Sequence, residues 1–128
     1  MANTITTSYK INGSRNFTAI VSIIGDGSGE ASAVDIIDVA NLTGTPTKFK
    51  IRNIAWQFNT FDAKLYWDAT ADVLAVALNQ YEGDLDFYEC CGTPLINNAG
   101  AGVTGKLQLT TVGLGSGDAG TIIIRGYH

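Results

Sequence analysis

Alternation of apolar and polar residues dominates residues 51–78, which read IRNIAWQFNTFDAKLYWDATADVLAVAL and hold both tryptophans of the chain. Three short runs place apolar side chains at every second position: Ile54, Trp56 and Phe58, then Ala63, Leu65 and Trp67, then Leu74, Val76 and Leu78. A period of two over about four to six residues is typical of strands with one buried face. Polar breaks between the runs supply turns. The stretch therefore predicts a three-stranded meander with both tryptophans in the core.

Similar runs, bounded by turn residues, continue along the chain. They predict further strands over 3–11, 17–24, 33–39, 48–58, 106–112 and 119–126. No apolar stripe with a helical period persists for ten residues. Short strands at regular spacing predict an all-β fold, an antiparallel β-sandwich or jelly roll of about eight or nine strands. The length of 128 residues fits a single β-sandwich domain over 1–128.

Three local patterns refine this prediction. Asn12-Gly13 is a hairpin signal, because both residues tolerate a positive φ. The apolar residues change parity between Ile51 and Ile54, which predicts a β-bulge near Arg52-Asn53. Residues 90–105, CCGTPLINNAGAGVTG, are expected to lack regular structure.

Charge and hydropathy argue against several classes of partner. The net charge of −4 disfavours binding to nucleic acid through its phosphates, which requires a basic surface. No run of apolar residues is long enough for a transmembrane helix. The first residues, MANTITTSYK, have neither the basic nor the apolar region of a secretory signal. Adjacent Cys90 and Cys91 are interpreted as two reduced thiols, because a bond between neighbours strains the peptide.

The inventory of side chains disfavours catalysis, so no enzyme activity is predicted. His128, the only histidine, stands at the last position of the sequence, which is a poor place for an oriented base. Several aspartates are available for a two-carboxylate glycosidase, but nothing in the sequence selects a pair. The letters of G-x-G-x-x-G occur at residues 100–105. A dinucleotide site needs a helix after them, and the strand KLQLTTV follows instead, which favours a flexible glycine loop.

Metal sites are weighed in the same way, and no cofactor is predicted. The loop GDGSGE offers Asp26, Ser28 and Glu30 but lacks the ligand spacing of an EF-hand, and GLGSGD resembles a single copy of a repeat that binds calcium only when stacked. Both loops are predicted to be turns. The acidic segment Glu82 to Glu89 is the remaining calcium candidate, and its alternatives are a solvated edge or a charged contact surface.

Two small groups of charges are candidate partner contacts. Lys48, Lys50 and Arg52 share one face of a predicted strand, while Glu82, Asp84 and Asp86 share a parity elsewhere. Either they are solvated faces or they dock onto copies of the chain or onto another protein. Tyr66 is the most exposed aromatic candidate, because it alternates with Lys64 and Asp68.

Several segments, taken in order, resemble a family of small virion structural proteins. They are a Thr-rich first strand, IIGDGSGEASAVDIIDVANL (23–42), FDAKLYWDATADVLAVAL (61–78), NNAGAGVTGKLQLTT and the ending GLGSGDAGTIIIRG. The chain is similar over nearly its full length to capsid decoration, or head-auxiliary, proteins of tailed bacteriophages. Cys90-Cys91 departs from the small-residue turn expected there. The resemblance implies a β-sandwich or jelly-roll fold, many copies per particle and binding to the major capsid protein.

The expected function is therefore that of a decoration or cement protein, held non-covalently on the capsid exterior after synthesis in the host cytoplasm. The resemblance implies two partners, the major capsid protein and copies of the chain itself in a homo-oligomer. No nucleic acid or membrane partner is expected. The alternative is a carbohydrate-binding or adhesive β-sandwich module of the head- or tail-fibre type, in which exposed aromatics stack on sugars.

Overall fold

A computed structural model describes residues 3–27, 29–44, 46–59, 61–78, 82–87 and 92–128. The described chain is all-β, with two antiparallel sheets and a 3-10 helix at Val39–Asn41. Its strands are β1 (Thr4–Asn12), β2 (Asn16–Ile24), β3 (Val34–Ile37), β4 (Lys50–Phe58), β5 (Asp62–Trp67), β6 (Val73–Leu78), β7 (Glu82–Asp86), β8 (Leu95–Ile96), β9 (Leu107–Val112) and β10 (Ala119–Tyr127). No helix formed by these residues is long and apolar enough to cross a membrane.

The strands divide between a large and a small sheet. The large sheet has the order β1-β2-β10-β4-β7, and the two-residue strand β8 also pairs with β4. The small sheet has the order β3-β9-β5-β6. The described residues thus contain one strand more than the upper expected number, and it is β8, which lies in the stretch that was expected to lack regular structure.

The inner faces of both sheets contribute to one hydrophobic cluster. Its centre is a chain of aromatic rings, in which Phe49 meets Phe17 of the large sheet and Trp67 of the small sheet edge to face, at 5.4 and 5.2 Å between centroids. Trp67 is fully buried, while Trp56 is half-buried and packs against the cluster. The prediction that both tryptophans belong to the core is therefore confirmed for Trp67 and only in part for Trp56, which lies at the margin of the core.

The predicted three-stranded meander is wrong. Only β5 and β6 form a hairpin, whereas β4 belongs to the large sheet and pairs with β10 and β7. The chain changes sheets between Phe58 and Phe61, whose rings are stacked at a centroid distance of 4.7 Å and are both buried. A turn that places two buried aromatic rings in the core carries the chain from one sheet to the other instead of back along the same sheet.

Among the four register shifts in the described strands, two bear on the predicted buried faces. The predicted bulge near Arg52-Asn53 is confirmed, because Ile51 pairs with Gly126 and Asn53 pairs with Arg125, which leaves Arg52 extra. A second, unpredicted bulge lies in β6, where Leu65 pairs with Val76 and Tyr66 with Leu74, so that Ala75 is extra. Leu74 was expected to share the buried face of Val76 and Leu78. It is instead 48% exposed, because the extra residue reverses its direction.

The β1–β2 hairpin is confirmed, with Asn12 opposite Phe17. Its turn differs from the expected type, because neither Asn12 nor Gly13 has a positive φ. The Gly13 N–H donates instead to the Asn16 carbonyl at 2.8 Å, which closes a longer turn. A longer turn relieves both residues of the left-handed conformation that a two-residue hairpin requires.

Candidate functional site

The outer face of the large sheet is a broad surface whose centre carries no charged side chain. Two neighbouring rows of directly paired residues, which we call rungs, cross the sheet from β1 to β7. One consists of Thr6, Ser22, Thr121, Gln57 and Glu82, and the other of Ser8, Ile20, Ile123, Ala55 and Asp84. Both therefore run from a hydroxyl on β1 to a carboxylate on β7. We call the non-acidic members of the two rungs the central face.

A shallow depression of about 430 Å³ lies where the central face meets β7. Ala55 and Ile123 supply apolar lining, while Thr121, Glu82 and Asp84 supply hydroxyl and carboxylate groups. Gly83 has no side chain at this point, and an added Cβ would overlap the six-membered ring of the Trp56 indole. Trp56 and its cross-strand partner Gly83 thus pack together on the core side of the sheet, beneath this depression.

The two predicted groups of charges lie end to end along one edge of the large sheet, and they meet at Arg52 and Asp86. Lys48 is exposed just before β4, Lys50 is its first residue, and Arg52 stands at the bulge. Glu82, Asp84 and Asp86 occupy alternate positions of β7, which pairs directly with β4. We call these six residues the charged edge. They form one surface with three positive and three negative charges, so their formal charges cancel (3 − 3 = 0).

Local contacts hold several members of the charged edge in place. The Lys50 ammonium lies over the Tyr127 ring, 5.7 Å from its centroid. The Asn53 amide donates to the Asp84 carboxylate at 2.9 Å. Arg52 and Asp86 line the same depression of about 330 Å³. With its basic residues at one end and its acidic residues along the rest, the charged edge suits recognition of a matching pattern more than strong attraction to a partner of one sign.

Tyr66 is not part of this surface. It lies on the outer face of the small sheet, where its cross-strand partners are Leu74 and Gln108, and it is half-buried. The structure therefore brings together six of the seven predicted contact residues and separates the seventh. Tyr81, Tyr88, Glu89 and the cysteine pair Cys90-Cys91 lie outside the described residues.

The acidic strand has the geometry of a surface strand. Glu82, Asp84 and Asp86 follow one another at intervals of two residues, which separates neighbouring Cα atoms by about 7 Å. Over the described ranges, no three Asp, Glu, His or Cys side chains gather into a group that could hold a metal ion. The part of the calcium candidate that the structure describes is thus spread along the strand.

The two glycine loops meet at one end of the molecule, and Glu30 joins them. The Glu30 carboxylate accepts hydrogen bonds from the Thr111 hydroxyl (2.9 Å) and from the backbone N–H groups of Gly113 (2.8 Å) and Leu114 (3.0 Å). The Gly25 N–H also donates to the Asp118 carbonyl at 2.8 Å. The sequence predicted two separate turns. Only the similarity of the two loop sequences, GDGSGE and GLGSGD, linked them.

These bonds change the acidity of Glu30. Donation from the Leu114 N–H, and secondarily from Gly113 and Thr111, holds the pKa of Glu30 below its ordinary value of 4.5, although slight desolvation opposes the change. Because the folded pKa lies below the unfolded one, the carboxylate stabilises the fold above pH 4.5. This contribution disappears as the pH falls through the folded pKa.

We expect Glu30→Gln to lower the free energy of unfolding by about 1 kcal/mol at about pH 7, because an amide replaces one of the accepting oxygens. The difference from wild type should shrink as the pH falls through the folded pKa, which lies below 4.5, because the wild-type carboxyl then becomes protonated. Urea denaturation at about pH 7 and at the lowest pH at which the protein stays folded measures it. Glu82→Gln removes the same charge from an exposed strand and should change stability by less than about 0.5 kcal/mol. A Glu30→Gln deficit of equal size at both pH values would contradict the role of the ionised carboxylate.

Two of the three glycines in the G-x-G-x-x-G letters have a packing role. Gly102 (φ 79°) and Gly105 (φ 81°) adopt the left-handed conformation. An added Cβ would overlap the Thr70 hydroxyl at Gly102 and the Thr47 carbonyl at Gly105, whereas a Cβ at Gly100 meets no atom within 4 Å. Strand β9 begins at Leu107, where a dinucleotide site would have its helix. The letters therefore lack the structural context of a dinucleotide site, and two of their glycines are packed against neighbouring segments.

Comparison with known proteins adds no functional residue to this description. The chain matches no protein-family model. A search of curated proteins likewise finds no match.

Proposed function

We propose that this chain is a structural virion protein that decorates or cements the head of a tailed bacteriophage. It binds the major capsid protein non-covalently on the capsid exterior, after synthesis in the host cytoplasm, and involves neither nucleic acid nor membrane. The resemblance of the sequence to decoration proteins suggests the role. The observation that carries it is the central face, a broad, uncharged sheet surface bordered by the charged edge.

The chemistry of the central face suits docking onto another protein. Ile20, Ile123 and Ala55 form adjacent half-buried apolar positions in its middle, where a partner side chain would displace water. Hydroxyl groups surround them and can exchange hydrogen bonds with water for bonds with a partner. Charges lie outside the central face, on the charged edge and at Arg125 of β10, where they fix orientation more than affinity. This is the usual arrangement of an apolar centre with a polar rim.

The size of the face favours attachment in many copies. Four strands at about 4.8 Å, each contributing about four residues, give roughly 19 by 13 Å, or about 250 Å². A stable one-to-one interface commonly buries about 800 Å² on each partner. A single copy therefore binds weakly, and a lattice that engages linked copies raises the overall affinity through effective concentration.

We also infer that the two sheets pack face to face as a jelly roll. The large sheet contains the order β2-β10-β4-β7 and the small sheet the order β3-β9-β5-β6. Successive strands pass between the sheets, as in the double Greek key of that architecture. Jelly rolls occur in viral capsid proteins and in lectins, so the fold supports the proposal only by analogy.

Cosedimentation with heads of the phage that encodes the chain tests the proposal. Wild-type protein should pellet with expanded heads, and Ile123→Glu should weaken binding at least about tenfold by placing a charge at the apolar centre. Tyr66→Glu makes the same kind of change on the outer face of the opposite sheet and should bind like wild type. Failure of the wild-type protein to bind heads, or normal binding by Ile123→Glu, would refute the proposal.

A carbohydrate-binding or adhesive module is the second candidate. It is favoured by the depression beside β7, where Glu82, Asp84 and Thr121 offer groups that bond sugar hydroxyls above the apolar lining. A glycan array distinguishes the two functions. Glycan binding that is lost in Asp84→Asn, together with no binding to heads, would replace the decoration proposal with this one.

A further inference from the structure

Strand β6 is an apolar strand at the edge of the small sheet. Its six residues read VLAVAL and include no charged side chain, proline or glycine. One side of it pairs with β5, and among the described residues no strand pairs with the other side. An open edge of this composition presents unpaired backbone N–H and C=O groups as a template for another strand.

The other sheet-edge strands carry hydrogen-bonded ties or charged side chains that β6 lacks. On β1, the Thr7 hydroxyl donates to the Ile36 carbonyl (2.6 Å) and the Asn12 amide donates to the Asn41 carbonyl (2.8 Å), which ties this edge to β3 and to the 3-10 helix that follows it. On β3, Asp35 pairs with Lys106 at 3.4 Å. Strand β7 bears three carboxylates, which would repel a second β7. Within the described ranges, β6 is therefore the edge best suited to pairing.

The bulge at Ala75 makes this strand complementary to itself. Because Ala75 is extra, Leu74 and Ala77 both point outward, while Val76 and Leu78 point toward the core. An antiparallel copy centred between Ala75 and Val76 places Leu74 of one chain opposite Ala77 of the other. On the outer face of such a pair, the large Leu74 side chain faces the small Ala77 side chain at two symmetric positions. No like charges face each other there.

We propose that β6 pairs antiparallel with β6 of a second copy, which joins the two four-stranded small sheets into one continuous sheet across a two-fold axis. The second copy is the occupant because the strand is uncharged and matches its own size pattern in this register. The contact lies away from the central face, on a different sheet, so it does not depend on capsid binding.

Electrostatics gives this dimer a characteristic salt dependence. Strands β1 and β3 contact each other at one side of the molecule, so β6 and the acidic β7 lie at the opposite side. Pairing through β6 brings the two acidic strands, and two chains of net charge −4, closer together. Salt screens this repulsion. The dimer should therefore tighten as the salt concentration rises from about 0.02 M to about 0.2 M, opposite to an association driven by charge pairs.

Sedimentation velocity on the purified chain, without capsids, tests the proposal. Wild type should form dimers with a dissociation constant in the micromolar range. Leu74→Glu/Ala77→Glu places two Glu–Glu pairs across the two-fold axis and should weaken the dimer about thirtyfold. Leu74→Lys/Ala77→Glu creates two Lys–Glu pairs in the same register and should restore it. Both variants share Ala77→Glu beside its cross-strand partner Lys64, so they differ only at position 74.

Three outcomes would overturn the self-pairing. The first is a wild-type chain that stays monomeric at about 100 μM, well above a micromolar dissociation constant. The second is a Leu74→Glu/Ala77→Glu variant that remains dimeric. The third is a Leu74→Lys/Ala77→Glu variant that stays monomeric. Circular dichroism checks that each variant is folded, which is expected because both positions are exposed. A dimer that fails to bind heads refutes the capsid role alone, and a monomer that binds them refutes the self-pairing alone.

Discussion

Replacing Trp67 by alanine is expected to lower the free energy of unfolding by about 4 kcal/mol, a large part of the stability of a small domain. Trp67 is fully buried and lies in the ring chain with Phe49 and Phe17. Truncation removes its apolar contact area, leaves a cavity between the sheets, and takes away the edge-to-face partner of Phe49. Urea denaturation followed by circular dichroism measures the loss, and Trp56 remains as a fluorescent reporter.

The variant Trp67→Phe distinguishes the contribution of the aromatic contact from that of the polar indole nitrogen. The indole Nε1 of Trp67 is buried and has no hydrogen-bond partner among the described residues. Phenylalanine keeps most of the aromatic contact and removes this unpaired group, so the loss should be below about 1.5 kcal/mol. Tyr66 precedes Trp67 in the chain but lies on the outer face, so Tyr66→Ala should lower the free energy of unfolding by only about 1 kcal/mol. A Trp67→Ala loss no larger than that of Tyr66→Ala would contradict the assignment of Trp67 to the centre of the core.

Gly126→Ala is expected to lower the free energy of unfolding by about 3 kcal/mol, at the upper end of overpacking effects. Gly126 pairs with Ile51 beside the bulge, and its α-carbon is buried against the core. An added Cβ would overlap the Lys50 carbonyl oxygen and approach the Phe17 ring to 2.7 Å at Cζ. The backbone carbonyl cannot rotate away without disturbing the β4–β10 pairing, so the strands must separate locally.

Gly100→Ala is the matched control. A Cβ at Gly100 meets no atom within 4 Å, and its φ is not positive. This variant should be unchanged or more stable by up to about 1 kcal/mol, because alanine restricts the unfolded chain. Thermal and urea denaturation of the pair measure the difference. Equal stability of the two variants would show that close packing at Gly126 is not what excludes a side chain.

The strands and their buried faces were predictable wherever apolar residues strictly alternate. Ala63, Leu65 and Trp67 are buried as predicted, because each is flanked by polar or exposed residues that mark the other face. The bulge at Arg52 was also visible, because the apolar parity changes there. A period-two pattern reports the direction of each side chain directly, and a phase change reports an inserted residue.

The bulge at Ala75 and the crossing of the chain between sheets were not predictable in this way. Every residue of VLAVAL is apolar, so no parity marks its outer face and an inserted residue leaves no trace. The segment between β4 and β5 includes polar residues, as hairpin turns do, and alternation in each strand is the same whichever sheet it joins. Only the buried Phe61, an aromatic residue at the turn, hinted at a turn through the core.

The charged edge was predicted as two separate groups and not as one surface. Residues 48–52 and 82–86 are neighbours only because β4 and β7 pair, and pairing between distant segments has no local sequence signal. The same reason hides the role of Glu30, whose partners at Thr111, Gly113 and Leu114 are more than 80 residues away. The properties of one strand can be predicted from its own residues, whereas contacts between strands depend on the topology of the sheets.

The position of β10 has a consequence for how the protein is made. Residues 119–127 form the strand between β2 and β4, although β2 and β4 are complete long before those residues are synthesised. During translation, the large sheet therefore exists as two separate halves with open edges, and its central pairings come last. Such late, long-range pairing slows folding and exposes strand edges to neighbouring chains. A nascent chain paused before residue 119 should thus engage chaperones, because the strand that closes its largest sheet is still missing.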